Sequence, residues 1–288
     1  MIMNNPVVAE ELAQQLSAFA VEALMEELHL TPKPGLVDRS DNGNHRDLSL
    51  PVMEISAYTL KECFYEMAIA GVGKKPSQQL RERLAAIGRY GEETMLKATR
   101  NINTHRGAIW ALGLLTGAAG ILLSASGNIS LSRYSFLITA GAVASFDDRY
   151  APIQHTHGSK VRKMYLVRSA REEAMANFPS LQHAALPTWD KYQQEPENIL
   201  KLNVLLSLMA VTDDTCILYR SDLEVLCEIK QRAREIMDRG GMACGENWQL
   251  YYSLDRFINE KWVSPGGSAD LLAATLFLQK IIHHYKIK

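Results

Sequence analysis

The stretch A-I-W-A-L-G-L-L-T-G-A-A-G-I-L-L, residues 108–123, is the longest apolar run in the chain. It is shorter than the roughly 18 residues a membrane-spanning helix needs, and Thr116 interrupts it. Gly113, Gly117 and Gly120 recur on one helical face, where the missing side chains let a neighbouring backbone come close. These features predict a helix enclosed by other helices, not by lipid.

On either side the same 3.6-residue period recurs. Leu12, Leu16, Phe19, Ala20, Ala23, Leu24 and Leu28 form one apolar stripe. Further helices are expected over 54–70, 78–99, 105–124, 159–177, 197–211, 222–239, 246–260 and 268–285. Period-2 alternation, low-complexity linkers and internal repeats are not found. The expectation is an all-α fold, a single globular multi-helix domain over 1–288.

Composition narrows the function classes. Thirty-one basic residues balance thirty-two acidic ones, for a formal charge of -1. No global field points to nucleic acid or to an anionic membrane. Any polyanion must be held by a few placed cations. The four cysteines form no C-x-x-C, and no secretory leader is expected at M-I-M-N-N-P-V-V-A-E-E, so the reading is a cytoplasmic protein with free thiols. His155 and His157 lack a third ligand at a known spacing, which argues against zinc.

Polar residues crowd at five helix junctions, and sites in helical proteins are built where such ends converge. In L-T-P-K-P-G-L-V-D-R-S-D-N-G-N-H-R-D (30–47), Lys33 stands between two prolines that hold its backbone extended. A solvated loop would need neither that rigidity nor Leu36 and Val37 among its charges. In N-T-H-R-G (103–107), free amides at a helix start favour an anion, and His105 and Arg106 would add to it; an Asn or Thr cap explains the same residues. Before the last helix, S-P-G-G-S-A-D (264–270) is not a Walker loop, yet Asp270 in the first turn of an apolar helix suits either the helix dipole or a metal. Asp213 and Asp214 close an apolar helix, where carboxylates oppose the dipole; capping the next helix and binding magnesium weigh equally. Arg168 and Arg171 are placed on one helical face, and Glu173 reads as a cation partner or a base.

Together these stretches resemble the triphosphoribosyl-dephospho-CoA synthase family. The resemblance rests on L-T-P-K-P-G-L-V-D-R with the following G, H and D, on N-T-H-R-G-A-I-W-A-L-G-L-L, on A-R-E-E-A, on D-T, and on S-P-G-G-S-A-D-L-L, in order from about residue 28 to 272. It implies an all-helical enzyme in which the 2′-hydroxyl of 3′-dephospho-CoA attacks C1 of the ATP ribose and adenine leaves. The product would be the prosthetic-group precursor of citrate lyase or malonate decarboxylase, passed to a transferase acting on an acyl carrier protein. A self-assembled oligomer is left open.

The resemblance also implies roles. Lys33, Arg39, His45, Asn103, His105, Arg106, Arg171, Gly266, Gly267 and Ser268 would contact the nucleotide. Asp213, Asp214 and Asp270 would hold Mg²⁺, while Asp38, Asp47 and Glu173 are the catalytic candidates. Cys216, Ser221 and Asp222 stand where the family carries Asn and two glycines. Two rival readings are a magnesium-dependent enzyme like the ADP-ribosyl-glycohydrolases, and a non-catalytic helical assembly factor.

Overall fold

In the computed structural model, which describes residues 6–125, 130–152, 161 and 164–287, the 108–123 run lies wholly inside one helix. The elements are α1 (Pro6–His29), α2 (Leu50–Thr59), α3 (Lys61–Gly71), α4 (Gln78–Ala98), α5 (Arg106–Ser124) and α6 (Arg133–Ala144), then α7 (Ala170–Met175) and α8 (Leu186–Tyr192). They continue with α9 (Glu197–Val211), α10 (Thr215–Arg220), α11 (Leu223–Asp238), α12 (Trp248–Glu260) and α13 (Gly266–Tyr285). No strand occurs among the described residues, so the all-α expectation holds.

By length and hydropathy α5 could cross a membrane. Instead it is wrapped by α1, α3, α4, α6, α7 and α13, and 78% of its apolar window is buried by them. Its glycines are the reason the wrapping is tight. A Cβ on Gly120 would lie 2.3 Å from the Ala68 carbonyl oxygen, and one on Gly71 only 2.1 Å from that of Gly117. Gly113 meets Met67 of α3, and Gly117 meets Leu84 of α4. Gly120→Ala must push α3 and α5 apart, so it is expected to cost about 1–3 kcal/mol, read as a lower urea midpoint at unchanged slope.

Two expected helices differ from what forms. The 54–70 segment is split at Leu60 into α2 and α3, and α2 starts at Leu50 with proline in its first turn, where a missing N–H costs nothing. The 159–177 helix is not continuous. Ser169 and Glu172 form a capping box that starts α7 only at Ala170, and Leu166 has φ of +52°. Arg168 therefore precedes the helix and shares no helical face with Arg171. His155 and His157 lie outside the described residues.

Candidate active site

The 30–49 segment is held by its own polar groups and by the end of α12. Asp38 accepts from the backbone amides of Lys33 (2.8 Å), Ser40 (2.6 Å) and Asp41 (3.2 Å). The Asn44 amide donates to the carbonyls of Ile258 (3.1 Å) and Val263 (2.7 Å). Gly35 has φ of +65°, and a Cβ there would stand 2.5 Å from Ile258 Cγ2. The braced loop carries Lys33 inward to 5% exposure. Its ammonium donates to the Glu27 carbonyl at 2.7 Å and pairs with the Glu27 carboxylate. Burial pushes the Glu27 carboxyl up, against the pull of Lys33.

At the start of α5 the N-cap residue is His105, and no side chain caps the helix. The expected Asn or Thr cap is absent. His105 is buried, with Nδ1 2.7 Å from Ser56 Oγ and Nε2 without a partner. Burial, then the charge of Lys33, pushes its pKa down to about 3, so the ring is neutral at physiological pH. The amide of Ala108 donates to Asp270, which projects from α13 one residue past its first turn and not from within that turn as expected, where no acidic residue stands. A Cβ on Gly107 would lie 1.9 Å from Asp270 Oδ2, so glycine there makes room for the carboxyl. Burial, then Glu27 and Asp214, holds Asp270 well above the usual carboxylate range.

Asp214 joins two other helix starts. Its Oδ1 accepts from the Cys216 amide at 3.0 Å, capping α10, and its Oδ2 accepts from the amide (2.8 Å) and hydroxyl (3.1 Å) of Ser268 in α13. Asp213 accepts from Lys230 Nζ (2.8 Å) and from the Arg168 amide (3.3 Å). The capping alternative thus describes Asp214, while Asp213 is engaged by Lys230 and the Arg168 amide. Among the described residues no three His, Cys, Asp or Glu side chains stand together as a metal-binding group.

These ends surround a cavity of about 510 Å³. Lys33, His45, Asp47, Asn103, His105, Arg106, Gly266, Gly267 and Asp270 all line it. His45 accepts at Nδ1 from Arg220 (3.2 Å) and faces Ser264 Oγ at 2.9 Å through Nε2; burial, then Arg220, lowers its pKa to about 4. Glu173 lies apart. It lines a smaller chamber of about 70 Å³ that shares Gly107, Trp110 and Asp270 with the larger one, and its Oε1 accepts from the Ser180 amide at 2.7 Å.

Other expected contacts are not brought to the large cavity. Arg39 is exposed and reaches Thr31 only through its backbone amide. Arg171 pairs with Asp147, Asp38 braces its own loop, and Ser268 is turned to Asp214. Sequence reasoning missed Glu27, Ser56 and Trp110, all close to this centre. Glu27 left one signal, a carboxylate between Leu24 and Leu28 on an otherwise apolar stripe.

The model of one family, described as ATP:dephospho-CoA triphosphoribosyl transferase, matches residues 13–288. The chain belongs to this transferase family. A Pseudomonas fluorescens protein named "Probable 2-(5''-triphosphoribosyl)-3'-dephosphocoenzyme-A synthase" is 43% identical, over 94% of this chain and 92% of its own length. Proteins of the same name from Pseudomonas putida (42% identical, over 93% of this chain and 95% of its own length) and Pseudomonas aeruginosa (41%, over 94% and 92%) are similar over nearly as much. No solved structure matches the chain. In this triphosphoribosyl transferase the first, second and last motifs, far apart in sequence, form three walls of one cavity.

Proposed function

We propose that the protein transfers the 5-triphosphoribosyl group of ATP to the 2′-hydroxyl of 3′-dephospho-CoA. The observation that carries this reading is the convergence of Lys33, Arg106, His105 and Asp270 on one cavity, in a chain of this family. The acceptor oxygen forms a bond to the ribose C1 as the C1–N9 bond breaks. Adenine takes the bonding electrons and a proton, and the hydroxyl proton passes to a base. Such a displacement inverts C1 and develops oxocarbenium character, as in inverting glycoside hydrolysis.

Lys33 and Arg106 suit the triphosphate, since charge-assisted hydrogen bonds are the strong ones. Ser56 Oγ lies between Thr104 Oγ1 (2.6 Å) and His105 Nδ1 (2.7 Å); the tautomer this role needs is the one in which Ser56 donates to Nδ1, which leaves Nε2–H as a neutral donor at the cavity wall. Asp47, exposed at the mouth, is our choice for the base. The donor set fits magnesium only as an ion carried on the triphosphate, since Mg²⁺ commonly takes one or two carboxylates with phosphate oxygens and water. Asp270 would hold it, and the ion would neutralise phosphate charge. This reading places the protein in the cytoplasm, with its cysteines unpaired. Its product would go to a transferase acting on an acyl carrier protein, as in citrate lyase or malonate decarboxylase.

The products test it. With ATP, Mg²⁺ and 3′-dephospho-CoA, free adenine is expected, and the acceptor gains the mass of a triphosphoribosyl group. Formation of ADP or pyrophosphate, or adenine release that ignores the acceptor, would overturn the assignment.

A further inference from the structure

A third cavity, of about 200 Å³, opens between α4 and α5 and shares Arg106 and Trp110 with the large one. Its floor is apolar, made by Met67, Leu84 and Ile109, and its cations are Arg81, Arg89 and Arg106. Two of the three are matched: Arg89 pairs with Asp148 at 2.5 Å, and Arg106 pairs with Glu92. Arg81 is different. It is only 6% exposed, its guanidinium has no ion pair or hydrogen bond among the described residues, and its Nε is buried without a partner. The positive charge lies over the Trp110 ring, 5.0 Å from the centroid. An indole face attracts a cation but accepts none of its five N–H donors in the plane of the fork. Through space Arg81 feels Asp148 first, then the like charges of Arg171 and Arg89, then Asp147, and Asp148 is already engaged by Arg89.

Buried guanidinium groups are normally paired. A buried one left open beside a cavity, with further arginines around it, is matched to an anion that arrives from outside. We propose that this cavity is a subsite for the phosphoanhydride chain of a nucleotide substrate, with Arg81 as its central ligand. The planar fork suits phosphate oxygens two at a time. The apolar floor suits the organic group attached to that chain. Arg106 and Trp110 wall this cavity and the large one alike, so a substrate lying here continues toward the transfer centre. The assignment rests on the transferase reading, and both substrates supply the chemistry: the triphosphate of ATP and the diphosphate of dephospho-CoA.

Calorimetric titration of the full chain and of Arg81→Met, which keeps the stem's packing on Trp110 but not the charge, tests the subsite without turnover. The probes are inorganic tripolyphosphate and 3′-dephospho-CoA. Loss of a charged hydrogen bond predicts roughly ten- to hundredfold weaker binding. Weakened tripolyphosphate binding assigns the triphosphate of ATP. Weakened dephospho-CoA binding with tripolyphosphate unchanged assigns the acceptor's diphosphate. Equal affinities for both probes in parent and variant overturn the subsite and leave Arg81 a structural prop. Should Arg81→Met fail to fold, Arg89→Gln at the rim is read in the same titrations; severalfold weakening of one probe is expected, and parental affinities for both overturn the proposal. A parent that binds through Arg81 yet releases no adenine keeps the subsite and loses the transferase reading.

Discussion

Asp270→Asn is expected to abolish most activity while making the protein no less stable. Asparagine keeps the size of the side chain and an acceptor for the Ala108 amide. It cannot ionise to meet a cation carried on the triphosphate, which the role proposed for Asp270 requires. Removing one such preorganised electrostatic group lowers turnover by about 10²–10³-fold. The stability effect runs the other way. The folded state favours the protonated carboxyl of Asp270. Ionising it therefore costs stability as pH rises above the unfolded value of about 3.9. The variant escapes that cost. Its melting temperature should match or exceed the parent's at pH 8, and the gap should close toward pH 4. A variant that keeps its adenine release, or that melts earlier than the parent at pH 8, would place Asp270 in the framework and not in the site.

Lys33→Met is expected to strike both fold and function. The Lys33–Glu27 pair is buried, with side-chain exposures of 1% and 6%. Removing one partner strands the other charge, which typically costs about 3–5 kcal/mol. Glu27 already has a raised pKa, and losing Lys33 raises it further. Stability is then lost as pH climbs above the unfolded carboxylate value and is regained on acidification, when Glu27 takes a proton. The deficit should be larger in urea melts at pH 8 than at pH 5. The double variant Glu27→Gln/Lys33→Met should recover most of the stability but not ATP binding. Equal deficits at both pH values would mean that Glu27 is not the stranded charge.

Long periodic helices were legible. The 197–211 pattern forms α9 with those bounds, and the glycines of 108–123 do face close neighbours. Helix α6 escaped because its R-Y-S-F-L-I-T-A-G-A-V-A is rich in aromatic and β-branched residues, which dilute a helical signal. The short α10 exists because Asp214 caps it, and six residues carry little periodicity. At the site, the loops announced themselves through proline, glycine and charge. What each carboxylate does could not be read. Asp38 and Asp270 look alike in sequence, yet one braces three amides of its own loop and the other faces a cavity. Glu27 and Ser56 acquire roles only from Lys33 and His105, which fold onto them from other segments.

Trp110 is a wall common to all three cavities. A single indole plane holds one position at a time, so it cannot be adjusted for one chamber without altering the others. The ring is fixed before anything enters, by the bond from its Nε1 to the Ala170 carbonyl (3.1 Å) and by the Arg81 guanidinium over its face. Truncating this one side chain would therefore enlarge all three chambers at once.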